Sequence, residues 1–135
     1  MNRLTIEANM DNFEEMVSFV GDECRNAGLE PKITNKIHLA FEEAAVNIIN
    51  YAYGDESGTI TIECDYIKEK KMFRIVLIDE GQAFNPLASE NPNINAPVQD
   101  RPIGGLGIFM IRQIVDEIFY ERIDNKNVFT MIKYS

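Results

Sequence analysis

A chain of 135 residues is long enough to bury one sizeable core and short for two. With 45% hydrophobic and 26% charged residues it has the balance of a globular protein, not of a disordered segment. A formal net charge of −9, from 22 acidic and 13 basic residues, repels phosphate backbones and anionic lipid, so it argues against a nucleic-acid or membrane partner.

Leu4, Ile6 and Ala8 alternate with polar residues, which predicts a short opening strand. Asp11 and Glu14 have capping-box spacing, and Phe13, Met16, Val17, Val20 and Cys24 follow at helical intervals up to a terminating Gly28. Pro31 suits the first turn of a second helix, whose apolar stripe runs through Ile33, Ile37, Phe41, Ala44, Ile48 and Ala52 until Gly54 breaks it. Leu39, Val46 and Ile49 lie largely opposite that stripe, to be covered by the first helix or by a second subunit in a homodimer. Ile60, Ile62, Cys64 and Tyr66 alternate as in a half-buried strand. The run MFRIVLID is apolar on both faces, as expected of a mid-sheet strand covered on both sides. Residues 80–103 carry Pro86, Pro92, Pro97 and Pro102, the composition of a lid, a binding loop or a locally disordered stretch. GGLG opens a third helix with Ile108, Ile111, Ile114, Val115 and Ile118, and a hairpin around DNKN closes the chain.

Cys24 and Cys64 stand far apart with no CxxC spacing, as two reduced, buried thiols. With no apolar leader and no stretch long enough to span a bilayer, the expected location is the cytoplasm. Helices together with hairpin-type strands predict one α+β domain over residues 1–135, a two-layer sandwich whose topology is left open by the pattern.

Several residues are placed for chemistry. In FEEAAVN, Glu43 and Asn47 are one helical turn apart on the same face, roughly 80–120° from the centre of the apolar stripe, at the rim of the core. Taken alone, such a pair is also what a solvated helix surface carries. Asp79 ends the buried strand and Gly81 follows: a carboxylate in a dry site selects a hydrogen-bond donor, and a missing Cβ lets a flat ring approach. An ordinary strand-ending turn has the same residues. Gly104, Gly105 and Gly107 precede a helix whose free amides and dipole favour a phosphate, though neither a Walker A nor a GxGxxG pattern is present and a flexible loop carries the same glycines. Arg101, just before them, is placed either to reach a terminal phosphate or to sit solvated in the lid. His38 falls on the opposite flank of its helix from Glu43 and is read as structural.

In their order, FEEAAVN, LIDEGQAF and GGLGIFMIRQIVD resemble the boxes of the GHKL ATPases, over about Ile37 to the end of the chain. The short N-terminal strand and helix further resemble the single-domain anti-sigma-factor serine kinases. The resemblance implies a Bergerat ATP-binding fold, an antiparallel sheet backed by helices, with ATP held beneath a lid. By the same resemblance Glu43 matches the catalytic base and Asn47 the magnesium ligand. Asp79 and Gly81 match the adenine end, Gly105 and Gly107 the phosphate end. Thr130 is aligned with a threonine near adenine, although Asn127 and Val128 stand where the family has a Gly-Thr pair. The implied activity is phosphorylation of a serine on an anti-sigma-factor antagonist, with sequestration of a sigma factor. A nucleotide-dependent partner switch without transfer, or a simple ATPase, has the same motifs.

Overall fold

The computed structural model describes residues 2–54, 56–83 and 105–135. Its elements are β1 (Asn2–Glu7), α1 (Phe13–Asn26), α2 (Pro31–Tyr51), β2 (Thr59–Ile67), β3 (Met72–Asp79), α3 (Gly105–Ile114), β4 (Glu117–Ile123) and β5 (Lys126–Tyr134). The five strands form one antiparallel sheet in the order β1-β2-β3-β5-β4. The two-layer α+β sandwich read from the sequence is therefore the observed fold.

Local chemistry accounts for most of the boundaries. A 3-10 turn (Met10–Asn12) leads into α1, and the Asn9 side chain caps that turn by accepting from Asn12 N at 3.1 Å. The expected Asp11–Glu14 capping box is thus displaced, because the chain makes a 3-10 turn before the helix proper and its orphan amide finds Asn9 first. Gly28, with φ +74°, follows the C-cap of α1, where a left-handed residue ends a helix at least cost. Pro31 occupies the first turn of α2. Asp124 and Asn125, with φ 51° and 63°, make the tight turn between β4 and β5, since a two-residue hairpin needs positive φ at both positions. Helix α3 ends at Ile114, and Ile118 belongs to β4, which shortens the helix expected from its spacing.

The core lies between the helices and one face of the sheet. Met16, Val20 and Cys24 of α1, Ile37, Phe41 and Ala44 of α2, and Ile108 and Ile111 of α3 pack on Ile60, Ile62, Ile75, Leu77 and Phe129. Each fully buried large side chain, Phe41 and Phe73 among them, contributes roughly 1.5–3 kcal/mol. Cys24 and Cys64 are buried and free, and burial pushes the Cys24 thiol up to about 11. Leu39 is exposed, whereas Ile49 packs at the edge of the core.

The expectation that β3 is covered on both sides fails. Phe73, Ile75, Leu77 and Asp79 are buried, but Arg74, Val76 and Ile78 are only half-buried, and Val76 and Ile78 do not join the core. An antiparallel sheet needs a helical layer on one face only, and β3 reads as apolar throughout because its outer residues are shielded by Val128 and Thr130 on β5. Among the described residues no helix is long and apolar enough to cross a membrane.

Candidate functional site

Strand pairing fixes one wall of the site. At the end of β3, Asp79 stands between Ile60 of β2 and Asn127 of β5. The period of two that buries Leu77 and Phe129 points Asp79 and Asn127 toward the helices as well, and both are buried, at 4% and 5% exposure. The opposite wall is the C-terminal half of α2. Between them lies a cavity of about 460 Å³, open mouth included, lined by Ala44, Asn47, Ile48, Tyr51 and Ala52 of α2 and its C-cap, with Asp79, Ile108, Tyr120, Asn127 and Phe129. Its mostly apolar lining, with a few convergent polar groups, is that of a small-molecule site.

The polar end is made by α2 and α3. Glu43 and Asn47 share a face of α2, and Gly107, in the first turn of α3, comes directly against both. A Cβ at Gly107 would stand 3.1 Å from Glu43 Oε2 and 3.3 Å from Asn47 Nδ2. The glycine therefore lets the start of α3, the positive end of its dipole, approach the carboxylate and the amide. Among the described residues, Asn47 Nδ2 is buried with no hydrogen-bond partner. An orphan of this kind costs about 1–3 kcal/mol unless a ligand or ion satisfies the side chain. Turning the amide would offer its oxygen at the same place, so a hard cation with phosphate and water ligands fits this residue.

The opposite end is organised around Asp79. Its Oδ1 accepts from Gly81 N and from Asn127 Nδ2, both at 2.9 Å. Burial pushes the carboxyl above the ordinary carboxylate range, while the bonds from Asn127 and Gly81 and the charge of Arg122 pull it back. Asn127 also donates to Gln82 O at 2.8 Å, and its Oδ1 accepts from the Tyr120 hydroxyl and from Arg122 Nη1.

The structure thus brings Glu43, Asn47 and Gly107 together, and of these Asn47 lines the cavity whose wall holds Asp79. Gly105 begins α3. Two residues are placed otherwise than expected. Gly81 does not line the cavity: a Cβ there would lie 2.8 Å from Ala52 Cβ and closer still to the Ala52 carbonyl, so its missing side chain serves backbone packing rather than the approach of a ring. Gln82 N then donates to Ala52 O at 2.8 Å, tying the exit of β3 to the end of α2. Thr130 pairs with Val76 and Phe119, one step out of phase with Phe129, and so lies on the face of the sheet away from the cavity. Arg101, Gly104 and the expected lid from residue 84 onward lie outside the described residues. His38 sits against α1, its Nε2 3.1 Å from where a Cβ of Gly21 would be. Sequence reasoning did not find Tyr51, Tyr120, Asn127 or Phe129 as lining residues. The inward period from Met131 through Phe129 to Asn127 was a usable signal for the last two.

The histidine kinase-like ATPase domain family matches residues 6–133. The serine-protein kinase RsbW of Halalkalibacterium halodurans is 34% identical over 102 residues, 73% of this chain and 60% of that protein. The RsbW of Bacillus cereus strain B4264 is 36% identical over 84 residues, 59% of this chain and 51% of its own length. The chain therefore spans only about half to three fifths of the curated relatives it matches. Among solved structures, the RsbU and RsbW domains of a Mycobacterium tuberculosis protein are similar with a TM-score of 0.65 at 14% identity, over 99% of this chain and 32% of that one. The histidine kinase domain of a blue-light activated kinase of Erythrobacter litoralis gives a TM-score of 0.58 at 16% identity, over 90% of this chain and 58% of its own. These two likenesses bear on the fold alone.

Proposed function

This chain belongs to the histidine kinase-like ATPase domain family, and we propose that it acts in the cytoplasm as an ATP-binding protein-serine kinase and anti-sigma factor. In this reading it phosphorylates a serine of an anti-sigma-factor antagonist and holds a sigma factor when that antagonist is not available. The observation that carries the proposal is the meeting of Glu43 and Gly107 at Asn47, which lines the same cavity as Asp79. The similarity to RsbW serine-protein kinases supports the protein-kinase direction.

The residues divide the work by their chemistry. Asp79 accepts from the amino edge of a purine, inside an apolar slot lined by Tyr51, Tyr120 and Phe129. The amides at the start of α3, entered through Gly105 and Gly107, face the phosphates. Asn47 would hold a magnesium ion, which when bound neutralises phosphate charge. Glu43 orients the incoming serine hydroxyl and accepts its proton as the phosphoryl group leaves ATP. Arg101 and Gly104 complete the phosphate end in this reading. A homodimer is compatible with the exposed Leu39.

Phosphate transfer from ATP to a candidate antagonist tests the proposal, with Glu43→Gln and Asn47→Ala as variants. Transfer is expected to fall by on the order of a hundredfold or more in Glu43→Gln while ATP still binds. Asn47→Ala is expected to lose the magnesium-dependent part of binding. Undiminished transfer in Glu43→Gln removes the assigned base, and nucleotide-sensitive partner binding without transfer in the wild type favours a non-catalytic switch.

A further inference from the structure

We propose that Asn127 is the positioning residue that makes this site select a 6-amino purine over a 6-oxo purine, by fixing the free oxygen of Asp79. The inference rests on the nucleotide-binding reading of the cavity and concerns a residue that reading leaves without a role.

The Asn127 side chain is held at both ends. Its Oδ1 accepts from the Tyr120 hydroxyl and from Arg122 Nη1 at 3.1 Å. Its Nδ2 donates to Asp79 Oδ1 at 2.9 Å and to Gln82 O at 2.8 Å. An amide has one accepting end and one donating end. A flipped amide would set an NH2 group against a guanidinium N–H and a carbonyl against a carboxylate and a peptide oxygen, so these partners dictate the orientation. Arg122 is itself anchored by donating to Gly81 O at 2.9 Å.

That orientation decides what Asp79 offers to the cavity. Both donors to the carboxylate, Asn127 Nδ2 and Gly81 N, fall on Oδ1, which leaves Oδ2 to accept from a ligand. The same donors stabilise the ionised carboxylate against the burial that favours its protonated form. An ionised Asp79 accepts only, so an exocyclic amino group is bound and a carbonyl at the same ring position is repelled. A protonated Asp79 would donate and would tolerate that carbonyl. Asn127 therefore controls selectivity through the protonation and aim of another residue, with no need to touch the base.

The test uses the full chain and competition binding of ATP against ITP, which differ at that ring position. The wild type is expected to favour ATP by on the order of a hundredfold. Asn127→Asp, which sets a second carboxylate against Asp79, and Asn127→Ala are expected to lower the ATP-to-ITP ratio by about tenfold or more, with the magnesium-dependent increment in ATP binding retained. If both variants keep the wild-type circular dichroism spectrum and the wild-type ratio, or weaken both nucleotides equally, Asn127 is only structural and the inference is overturned. Should neither variant fold, Tyr120→Phe removes one donor that pins the amide while keeping the ring. A fall in the ratio of about threefold is then expected, and no change overturns the inference. A wild type that binds ATP without discriminating against ITP overturns this inference alone, whereas a wild type that binds neither nucleotide overturns the ATP reading and this inference together.

Discussion

Gly107→Ala separates stability from site geometry. Gly107 lies in the first turn of α3, where alanine is the better helix former by up to about 0.5–1 kcal/mol. The added Cβ meets Glu43 Oε2 at 3.1 Å and Asn47 Nδ2 at 3.3 Å, and both are ends of side chains that can yield by a few tenths of an ångström. Folding is therefore expected to survive, with a thermal midpoint unchanged or raised by about 2–4 °C. The site should suffer, because the methyl group fills the approach between the helix start and the two polar groups. A displacement of this size costs on the order of tenfold in magnesium-dependent ATP affinity, which is about 1.4 kcal/mol. Thermal unfolding followed by circular dichroism and calorimetric titration with ATP, with and without magnesium, read the two effects separately. Wild-type affinity in the variant would refute the assignment of Gly107 to the phosphate end, and a clear loss of stability would refute the account of its packing.

Asp79→Asn should also separate binding from stability. Burial holds the folded carboxyl above its ordinary 3.8, so its favourable contribution is complete below the unfolded value and is lost as pH rises through the folded value. The amide substitute removes that loss, so melting temperatures measured from pH 4 to 8 are expected to fall less with rising pH than in the wild type. ATP affinity should drop about tenfold to a hundredfold, since a donor replaces the free acceptor; a variant that binds ATP normally would show that Asp79 does not meet the base. Gly81→Ala places a Cβ on the Ala52 backbone, which no rotamer change relieves. Urea denaturation is expected to show a loss of about 2–3 kcal/mol or more, and an unaffected midpoint would show that the close passage of β3 over α2 is misread.

Periodicity carried the fold as far as periodicity can. The stripe of α2, the alternation in β2 and the closing hairpin became the observed elements, because burial of one face dictates those spacings. Three expectations failed where a nonlocal or competing local choice intervened. The start of α1 went to a 3-10 turn capped by Asn9. Ile118 satisfies helical spacing yet pairs with Met131 in the sheet. The run around Val76 looked fit for burial on both faces, but cross-strand neighbours shield its outer side without a second helical layer. Each depended on what stood opposite the residue, which no window of sequence contains.

The site was legible to the degree that its parts lie within single elements. Glu43 and Asn47 are one turn apart on α2, and the helix alone places them on one face. Asn127 was not legible as a partner of Asp79, since 48 positions separate them and only the β3–β5 register makes them neighbours. A shift of one residue in that register would bring Val128 opposite Asp79 and onto its face of the sheet, and would turn Asn127 away from the cavity. The two motif glycines show the same limit from another side. In sequence Gly81 reads as room for a flat ring, and Gly107 as part of a helix entry whose amides favour a phosphate. In the folded chain the space at Gly107 opens onto Glu43 and Asn47, whereas the space at Gly81 is taken by the Ala52 backbone. The first glycine shapes the site directly, and the second holds the strand end that carries Asp79 against the helix that carries Asn47. Loss of Gly81 should therefore reach the nucleotide only through the scaffold, with stability and affinity failing together, while loss of Gly107 should separate them.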